Sequence, residues 1–390
     1  MGHIPYGRQD ITEEDWQAVA AVLRSEWITQ GPEVPRFEAL LAEYCGARHA
    51  VAANSATSAL HIACMAVGLG SGDWLWTSPN TFVASANCGL YCGARVDFVD
   101  IEPDTFNMSV PALAQKLARA RTDGRLPKVV VPVHFAGQSC DMQAIFELGR
   151  QYGFRVIEDA SHAVGGRYLG RPVGCCQYSD ITVFSFHPVK IITTAEGGMA
   201  MTNDADLAAR MKRLRTHGIT REPSEMSGPS EGPWYYQQVA LGYNYRMTDV
   251  HAVLGQSQAR RLDAYVSRRH EIAAVYDDAF RALPVDSQQG RPDSLSALHL
   301  YVVRLRLDEI RLSRSDVFRA LRAEGIGVNV HYIPVYRHPY YARMGFNPGD
   351  FPEAERYYAG ALSLPMFPTL TGEQQQAVIE ALSDTLARAP

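Results

Sequence analysis

Long apolar runs are missing from this chain. No uncharged apolar stretch reaches the roughly 18 residues that a membrane-spanning helix needs. The N-terminus also lacks the charged start, apolar middle and small-residue cleavage site of a secretory signal. Both absences predict a protein that neither spans a membrane nor is exported. Positive charge is not in excess: 37 Lys and Arg stand against 42 Asp and Glu, a net charge of -5. Nothing electrostatic therefore recommends nucleic acid as a partner. Cysteines are few, seven in number, and none forms a C-x-x-C pair. Cys175 and Cys176 are adjacent, and Cys88 and Cys92 lie four apart. An odd, irregularly spaced set excludes a disulfide framework and predicts a reducing, cytoplasmic setting. There is no Walker A loop, no H-E-x-x-H and no G-x-S-x-G. "GLGSG" (68–72) follows a helical pattern and reads as a helix stop and turn. His134, Cys140 and Asp141 match no strong metal spacing, so no metal is expected.

What is present is ordinary globular composition, 46% hydrophobic and 20% charged, over 390 residues. From about residue 35 to 215, short apolar runs alternate with helical patterns. "HAVAAN" (49–54), "DWLWTS", "ARVDFVDI", "KVVVPVHF", "RVIEDA" and "DITVFSF" read as strands. "SATSALHIACMAVGL" and "TFVASANCGLYCG" read as helices, and further helical stretches are expected before "RVIEDA" and "DITVFSF". Strands too apolar to have a wet face predict an α/β fold with a mostly parallel sheet and helices on both faces. A Pro/Gly/Ser-rich loop follows at 221–233. Residues 247–283 then read as one or two long helices, with Gly255 a candidate kink. "HLYVVRLRL" and "VNVHYIPV" alternate like strands, and 373–388 reads as an amphipathic helix. The expected division is a large domain at 1–255 and a smaller C-terminal α+β domain at 256–390.

In open α/β sheets ligands bind at the carboxyl ends of the strands, so the residues there are the ones to read. Lys190 stands alone in "SFHPVKIITTAEGG", just past a strand end, where a lysine is either a snorkelling surface residue or a chemical one. Asp159 ends "RVIED"; such a carboxylate can cap the next helix or pair with a cationic ring nitrogen. "NSATSAL" opens a helix directly after a strand, where free backbone N–H groups and the helix dipole favour an anion. Phe82 follows another strand end and can stack on a planar ring as readily as fill a core. An anion site, an aromatic face, a carboxylate and a lysine together match the phosphate, ring, pyridine nitrogen and aldehyde of pyridoxal 5'-phosphate. A desolvated lysine near other positive charge becomes nucleophilic.

The sequence resembles the DegT/StrS group of fold-type I pyridoxal-phosphate aminotransferases, which act on nucleotide-linked keto-sugars. The resemblance runs along nearly the whole chain, through "WITQGPEVPRFEALLAEYCGARHAVAANSATSAL", "SPNTFVASAN", "VIEDASHAVG", "FSFHPVKIITTAEGGM", "GYNYRMTDVHAVLG" and "VNVHYIPVY". Within the group, "NSATSAL", "SHA", "HPVKIITTAEGG" and "VHYIPVY" are most similar to the branch that aminates UDP-linked 4-keto sugars for pseudaminic acid. The resemblance implies that Lys190 is the Schiff-base lysine and that Asp159 pairs with the pyridine nitrogen. It places His162 beside the ring, and Ala56, Thr57 and Ser185 around the phosphate. It also implies a homodimer, in which Asn244 reaches the phosphate of the other subunit. Tyr6, the segment Glu26, Trp27, Ile28 and Thr29, and the pair His331 and Tyr332 match stretches that line the sugar-nucleotide pocket; the His331–Tyr332 pair can equally fill a domain interface. Dehydratases of the same group carry histidine at the lysine position, so Lys190 points to transamination. The implied reaction moves an amino group from L-glutamate to the 4-keto group of a UDP-linked 2-acetamido-2,6-dideoxy-hexos-4-ulose. A dTDP-linked or 3-keto sugar, or an aminocyclitol, is the alternative substrate.

Overall fold

Seven strands, each too short and apolar to stand alone, form the central sheet. They are β1 (His49–Ala53), β2 (Trp74–Thr77), β3 (Arg95–Phe98), β4 (Val129–Val131), β5 (Arg155–Asp159), β6 (Ile181–Ser185) and β7 (Gly198–Thr202). The computed structural model describes residues 2–387. Sheet order is β1-β7-β6-β5-β4-β2-β3. Pairing is parallel from β6 to β3 and antiparallel at β1–β7 and β7–β6.

Both faces of the sheet are dry. On β4, Val129 and Val131 belong to one apolar cluster and Val130 to another; on β5, Ile157 and Val156 divide in the same way. This period-2 split into two apolar faces is what makes the strands read as unbroken hydrophobic runs. The helices α1 (Glu13–Leu23), α2 (Glu33–Cys45), α3 (Ala56–Ala66), α4 (Ala84–Tyr91), α5 (Val110–Asp123) and α6 (Met142–Tyr152) precede or interleave with the strands, and α7 (Ala205–Leu214) follows β7. After them come α8 (Asp249–Ala259) and α9 (Leu262–Phe280). A small antiparallel sheet follows, of β8 (Val285–Ser287), β9 (Tyr301–Leu305) and β10 (Ala361–Leu364). It packs with helices 314–323 and 372–387 around Val303, Leu321, Leu362 and Leu382.

Several expectations need correction. The strand at 198–202 has no counterpart in the sequence reading, because β7 is a return stroke after the Lys190 loop and breaks the βα rhythm. The stretch before β6 holds no helix; two short strands, 167–168 and 171–172, occupy it. The helix α5, before β4, was not anticipated either. "VNVHYIPV" forms no strand, only a bridge from Asn329 to Ser363 and a 3-10 turn at 335–337. Gly255 is not a kink. It sits within α8, where an added Cβ would lie 2.5 Å from Phe37 Cζ, so glycine there permits close packing; the helix break falls at 260–261. Of the amphipathic helix expected at 373–388, residue 388 lies outside the described residues.

Candidate active site

A cavity of about 410 Å³ opens at the carboxyl ends of β5 and β6. Residues 157 and 159 share a face of β5, as do 183 and 185 of β6, so Asp159 and Ser185 face the side covered by α3 and α4. The cavity brings together Tyr6, Ala56, Thr57, Phe82, Asp159, His162, Ser185, Lys190, His331 and Tyr332. All ten were singled out in the sequence. Glu26, Trp27, Ile28, Thr29 and Asn244 do not line it; they are exposed on this chain. The 26–29 segment is held elsewhere: Ile28 O accepts the Asp249 N–H at 3.0 Å, and the buried Asp249 carboxylate accepts N–H groups of Gly31, Glu33 and Val34.

Lys190 lies on the turn between β6 and β7. Phe186 anchors that turn: its carbonyl accepts Thr194 N–H at 3.0 Å and the Thr193 hydroxyl at 2.9 Å, and its N–H meets Gly197 O at 2.9 Å. Burial pulls the Lys190 amine down to about 8, against the opposing pull of the Asp159 carboxylate. On the order of one amine in ten is therefore neutral at pH 7, far more than for an ordinary lysine, and the neutral form is nucleophilic. Asp159 is buried and fully engaged. Its Oδ2 accepts the Ser85 hydroxyl at 2.6 Å, and its Oδ1 accepts the Ser161 hydroxyl at 2.6 Å and N–H at 3.1 Å. Its neighbour Glu158 points to the opposite face, where Ser179, Thr182 and His134 hold it. That absorbs His134, while Asp141 caps α6 through Ala144 N–H at 3.3 Å. Among the described residues no group of His, Cys, Asp and Glu is arranged for a metal ion.

The anion end is built by α3. Ser55 caps the helix by accepting Ser58 N–H at 3.1 Å, which leaves the Ala56 and Thr57 N–H groups without a partner among the described residues. Gly198 on β7 makes this possible. A Cβ there would lie 2.6 Å from both Cα and N of Ala56, so any side chain would push the helix start off the sheet. Free N–H groups, the helix dipole and the Ser185 hydroxyl make this corner of the cavity suited to an anion.

The opposite wall is neutral and aromatic. His162 accepts Ala136 N–H on Nδ1 at 3.2 Å, so its proton sits on Nε2, 3.1 Å from Tyr332 Oη. Burial, then the Lys190 charge, keeps His162 well below the usual histidine range. His331, bonded through Nδ1 to Ser363 Oγ at 2.7 Å, is pushed down to about 3 by burial and Lys190. Phe82, 57% exposed, lines the cavity with its ring 6.2 Å from Tyr332. The backbone N–H of Tyr332 donates to Asn80 Oδ1 at 3.3 Å.

The sequence reading missed Ser85, Ser161 and His299. Ser161 was legible as a Ser two residues after Asp, a local side-chain-to-backbone turn. His299 carried no local signal. It is buried 4.4 Å from the His162 ring, and the buried Arg269 fixes its backbone by donating to the carbonyls of Leu298, His299 and Met366.

A buried lysine, a clamped carboxylate and an anion-suited helix start, set in this α/β fold, fit a pyridoxal-phosphate-dependent transferase. The chain belongs to the DegT/DnrJ/EryC1/StrS aminotransferase family, whose model matches residues 9–383, and it is a pyridoxal-phosphate-dependent sugar aminotransferase. It is 41% identical to the spore coat polysaccharide biosynthesis protein SpsC of Bacillus subtilis (strain 168), over 98% of this chain and 96% of that protein. It is 36% identical to the UDP-4-amino-4,6-dideoxy-N-acetyl-beta-L-altrosamine transaminase of Campylobacter jejuni (strain 81-176), over 99% and 98%. Its fold matches Helicobacter pylori PseC, an aminotransferase involved in pseudoaminic acid biosynthesis, with TM-score 0.90 and 31% identity over 99% and 100% of the two chains. It also matches the PLP-form of a putative sugar aminotransferase, Spr1654, from Streptococcus pneumoniae, with TM-score 0.88 and 31% identity over 99% of each chain.

Proposed function

We propose that this chain transfers an amino group from L-glutamate to the 4-keto group of a UDP-linked 2-acetamido-2,6-dideoxy-hexos-4-ulose. The product is a UDP-4-amino-4,6-dideoxy sugar for a pseudaminic acid-type glycan, and the enzyme works as a cytoplasmic homodimer with shared active sites. The observation that carries the reading is the cavity wall. Among the described residues no arginine lines it, and beside Asp159, Lys190 and Glu196 it presents the neutral imidazoles of His162, His299 and His331 and the hydroxyls of Tyr6 and Tyr332. Neutral donors and acceptors suit a polyhydroxylated ring better than a second charged amino acid. The names of relatives that act on UDP-linked amino sugars support the nucleotide and the ring position. All seven cysteines are free, which suits a reducing compartment.

Bound pyridoxal phosphate supplies an aldehyde that carries the amino group and a ring that takes up electrons from the Cα–H bond. The residues present fit it. Ala56, Thr57 and Ser185 would hold the phosphate, Asp159 would keep a proton on the ring nitrogen, and Phe82 would lie against the ring. Lys190 would hold the aldehyde until glutamate displaces it, and its freed amine would then take the proton from Cα of glutamate and later supply one to C4 of the sugar. Asn244 and the 26–29 segment, exposed on this chain, serve the site of the other subunit.

The test is a panel of UDP- and dTDP-linked 4-keto and 3-keto sugars with glutamate, the products read by NMR. Turnover should be greatest with the UDP-linked 4-keto sugar and lost in Lys190→Ala. Preference for a dTDP-linked or 3-keto sugar would overturn the substrate, and retained turnover in Lys190→Ala would overturn the chemistry.

A further inference from the structure

The turn that follows β4, residues 134–140, lies behind the cavity wall, and none of its residues lines the cavity. Ala136 stands at φ 56° and Gly137 at φ 107°. An alanine keeps such a left-handed bend only where its surroundings hold it. Two side chains hold this one. Asn107 accepts the Phe135 N–H on Oδ1 and donates from Nδ2 to Gln138 O, both at 2.9 Å. His134 closes the turn from within: its Nδ1 accepts the Cys140 N–H at 3.2 Å, and its Nε2 lies 2.6 Å from Glu158 Oε2. Its backbone N–H also donates to Asp159 O at 3.0 Å. One residue thus ties the turn to both residues that end β5.

With the Cys140 N–H on Nδ1, the His134 proton sits on Nε2 and is donated to the Glu158 carboxylate. Ring and carboxylate are both buried, and Glu158 also accepts the Ser179 and Thr182 hydroxyls. Against burial, the Cys140 contact and Glu158 pull His134 up. A second proton could sit only on Nδ1, facing the Cys140 N–H, so that backbone bond keeps the ring neutral. On its other side the turn seats two imidazoles of the cavity wall. Ala136 N–H donates to His162 Nδ1 at 3.2 Å. The carbonyls of Ala136 and Gly137 accept the Leu300 N–H at 3.3 Å and the Ala297 N–H at 3.0 Å. Those two bonds bracket His299, whose ring lies 4.4 Å from that of His162. Gly137 lets the segments meet this closely, since a Cβ there would lie 2.6 Å from Leu298 N.

We propose that His134 is a positioning residue: by locking the 134–140 turn to the end of β5, it seats His162 and His299 and fixes the His162 proton on Nε2. The consequence falls on Tyr332. The His162 Nε2–H occupies a lone pair of Tyr332 Oη across 3.1 Å, which leaves the tyrosine's own proton free for a ligand oxygen in the cavity. When the turn relaxes, the Ala136 N–H leaves Nδ1 and the imidazole proton is free to move there. Nε2 then accepts the Tyr332 proton instead. The hydrogen-bond polarity of the wall reverses with no change of charge. His134 itself touches no ligand and acts only through the turn. The assignment needs the pyridoxal-phosphate chemistry of the family and is independent of which sugar is aminated.

The experiment labels the histidine ring nitrogens isotopically in the holoenzyme and reads the His162 tautomer by nitrogen-correlated NMR, the signal being assigned by its loss in His162→Asn. The wild-type ring should carry its proton on Nε2. His134→Leu should move that proton to Nδ1 or average the two positions. It should also slow the conversion of bound cofactor to its pyridoxamine form by glutamate, followed by absorbance, about tenfold, the effect of one hydrogen bond. That half-reaction uses no sugar, so its result stands apart from the proposed substrate. His134→Gln, whose amide can accept from Cys140 and donate to Glu158, should restore the Nε2 tautomer and bring the rate to within about threefold of wild type. His134→Asn, which keeps an acceptor for Cys140 but is too short for Glu158, should behave like His134→Leu and replaces it if that protein does not fold. A His162 proton that stays on Nε2 in folded His134→Leu or His134→Asn would overturn the assignment. So would an unchanged glutamate half-reaction in those variants, or a folded His134→Gln that restores neither tautomer nor rate.

Discussion

Ser85 donates its hydroxyl to Asp159 Oδ2 across 2.6 Å, so a residue on α4 holds one oxygen of the carboxylate that ends β5. Ser161 holds the other. The carboxylate is thus aimed before any ligand arrives, and the aiming is shared by two elements that meet only in the fold. A hydrogen bond to a charged group contributes about 1.5–3 kcal/mol. Ser85→Ala should therefore weaken pyridoxal phosphate binding by about tenfold or more. Absorbance titration of the apoenzyme measures it, and an unchanged affinity would remove Ser85 from the site.

Lys190 gives a pH signature. Its amine is brought down to about 8 by burial, with Asp159 opposing, so the rate of cofactor loading onto apoenzyme should rise with pH around a midpoint near 8. Asp159→Asn removes the opposing charge and should move that midpoint lower. The ordinary lysine value is 10.5, so between about 8 and 10.5 the unfolded chain binds more protons than the folded one. Stability should accordingly rise with pH across that window, and Lys190→Met should flatten the rise. Stopped-flow absorbance and denaturant titrations read the two effects.

Gly198 tests the proposed phosphate site without touching a polar group. A methyl in Gly198→Ala would meet Ala56 N and Cα at 2.6 Å and displace the first turn of α3. Overpacking of this kind costs about 1–3 kcal/mol. Cofactor affinity should fall more steeply than thermal stability, since the displaced N–H groups are the ones proposed to hold the phosphate. Equal losses in the two measurements would make Gly198 a packing residue only.

The proposed shared sites make a mixing prediction. Neither a Lys190→Ala nor an Asn244→Ala homodimer should be fully active. In a hybrid of the two, one site carries both substitutions and the other carries none. Dissociation and remixing should therefore restore up to about half of the activity of the wild-type dimer per hybrid. No gain on mixing would place Asn244 outside the neighbouring site.

The extent to which the fold was legible follows from what each segment needs from its neighbours. Apolar runs such as "KVVVPV" and "RVIED" are dry on both faces, and that property is written locally. The strand at 198–202 is not, because it exists only to pair with β1 and β6 after the Lys190 turn. "VNVHYIPV" alternates like a strand, yet it meets the edge strand β10 only through the single bridge from Asn329 to Ser363.

The same division holds for the site. The sequence by itself determined the chemistry-bearing residues at strand ends: Lys190 past β6, Asp159 at the end of β5, and the hydroxyl-rich start of α3. Strand termini and helix caps are local events, and residue type there is enough to nominate a role. Tertiary structure alone decided that Ser85 and Ser161 clamp Asp159, that Gly198 seats the helix start, and that His162, His299 and His331 stay neutral around Lys190. Those outcomes depend on burial and on contacts between residues tens or hundreds of positions apart. The solvation that sets a proton's position, and the distance that sets a hydrogen bond, come into being only when the chain is folded.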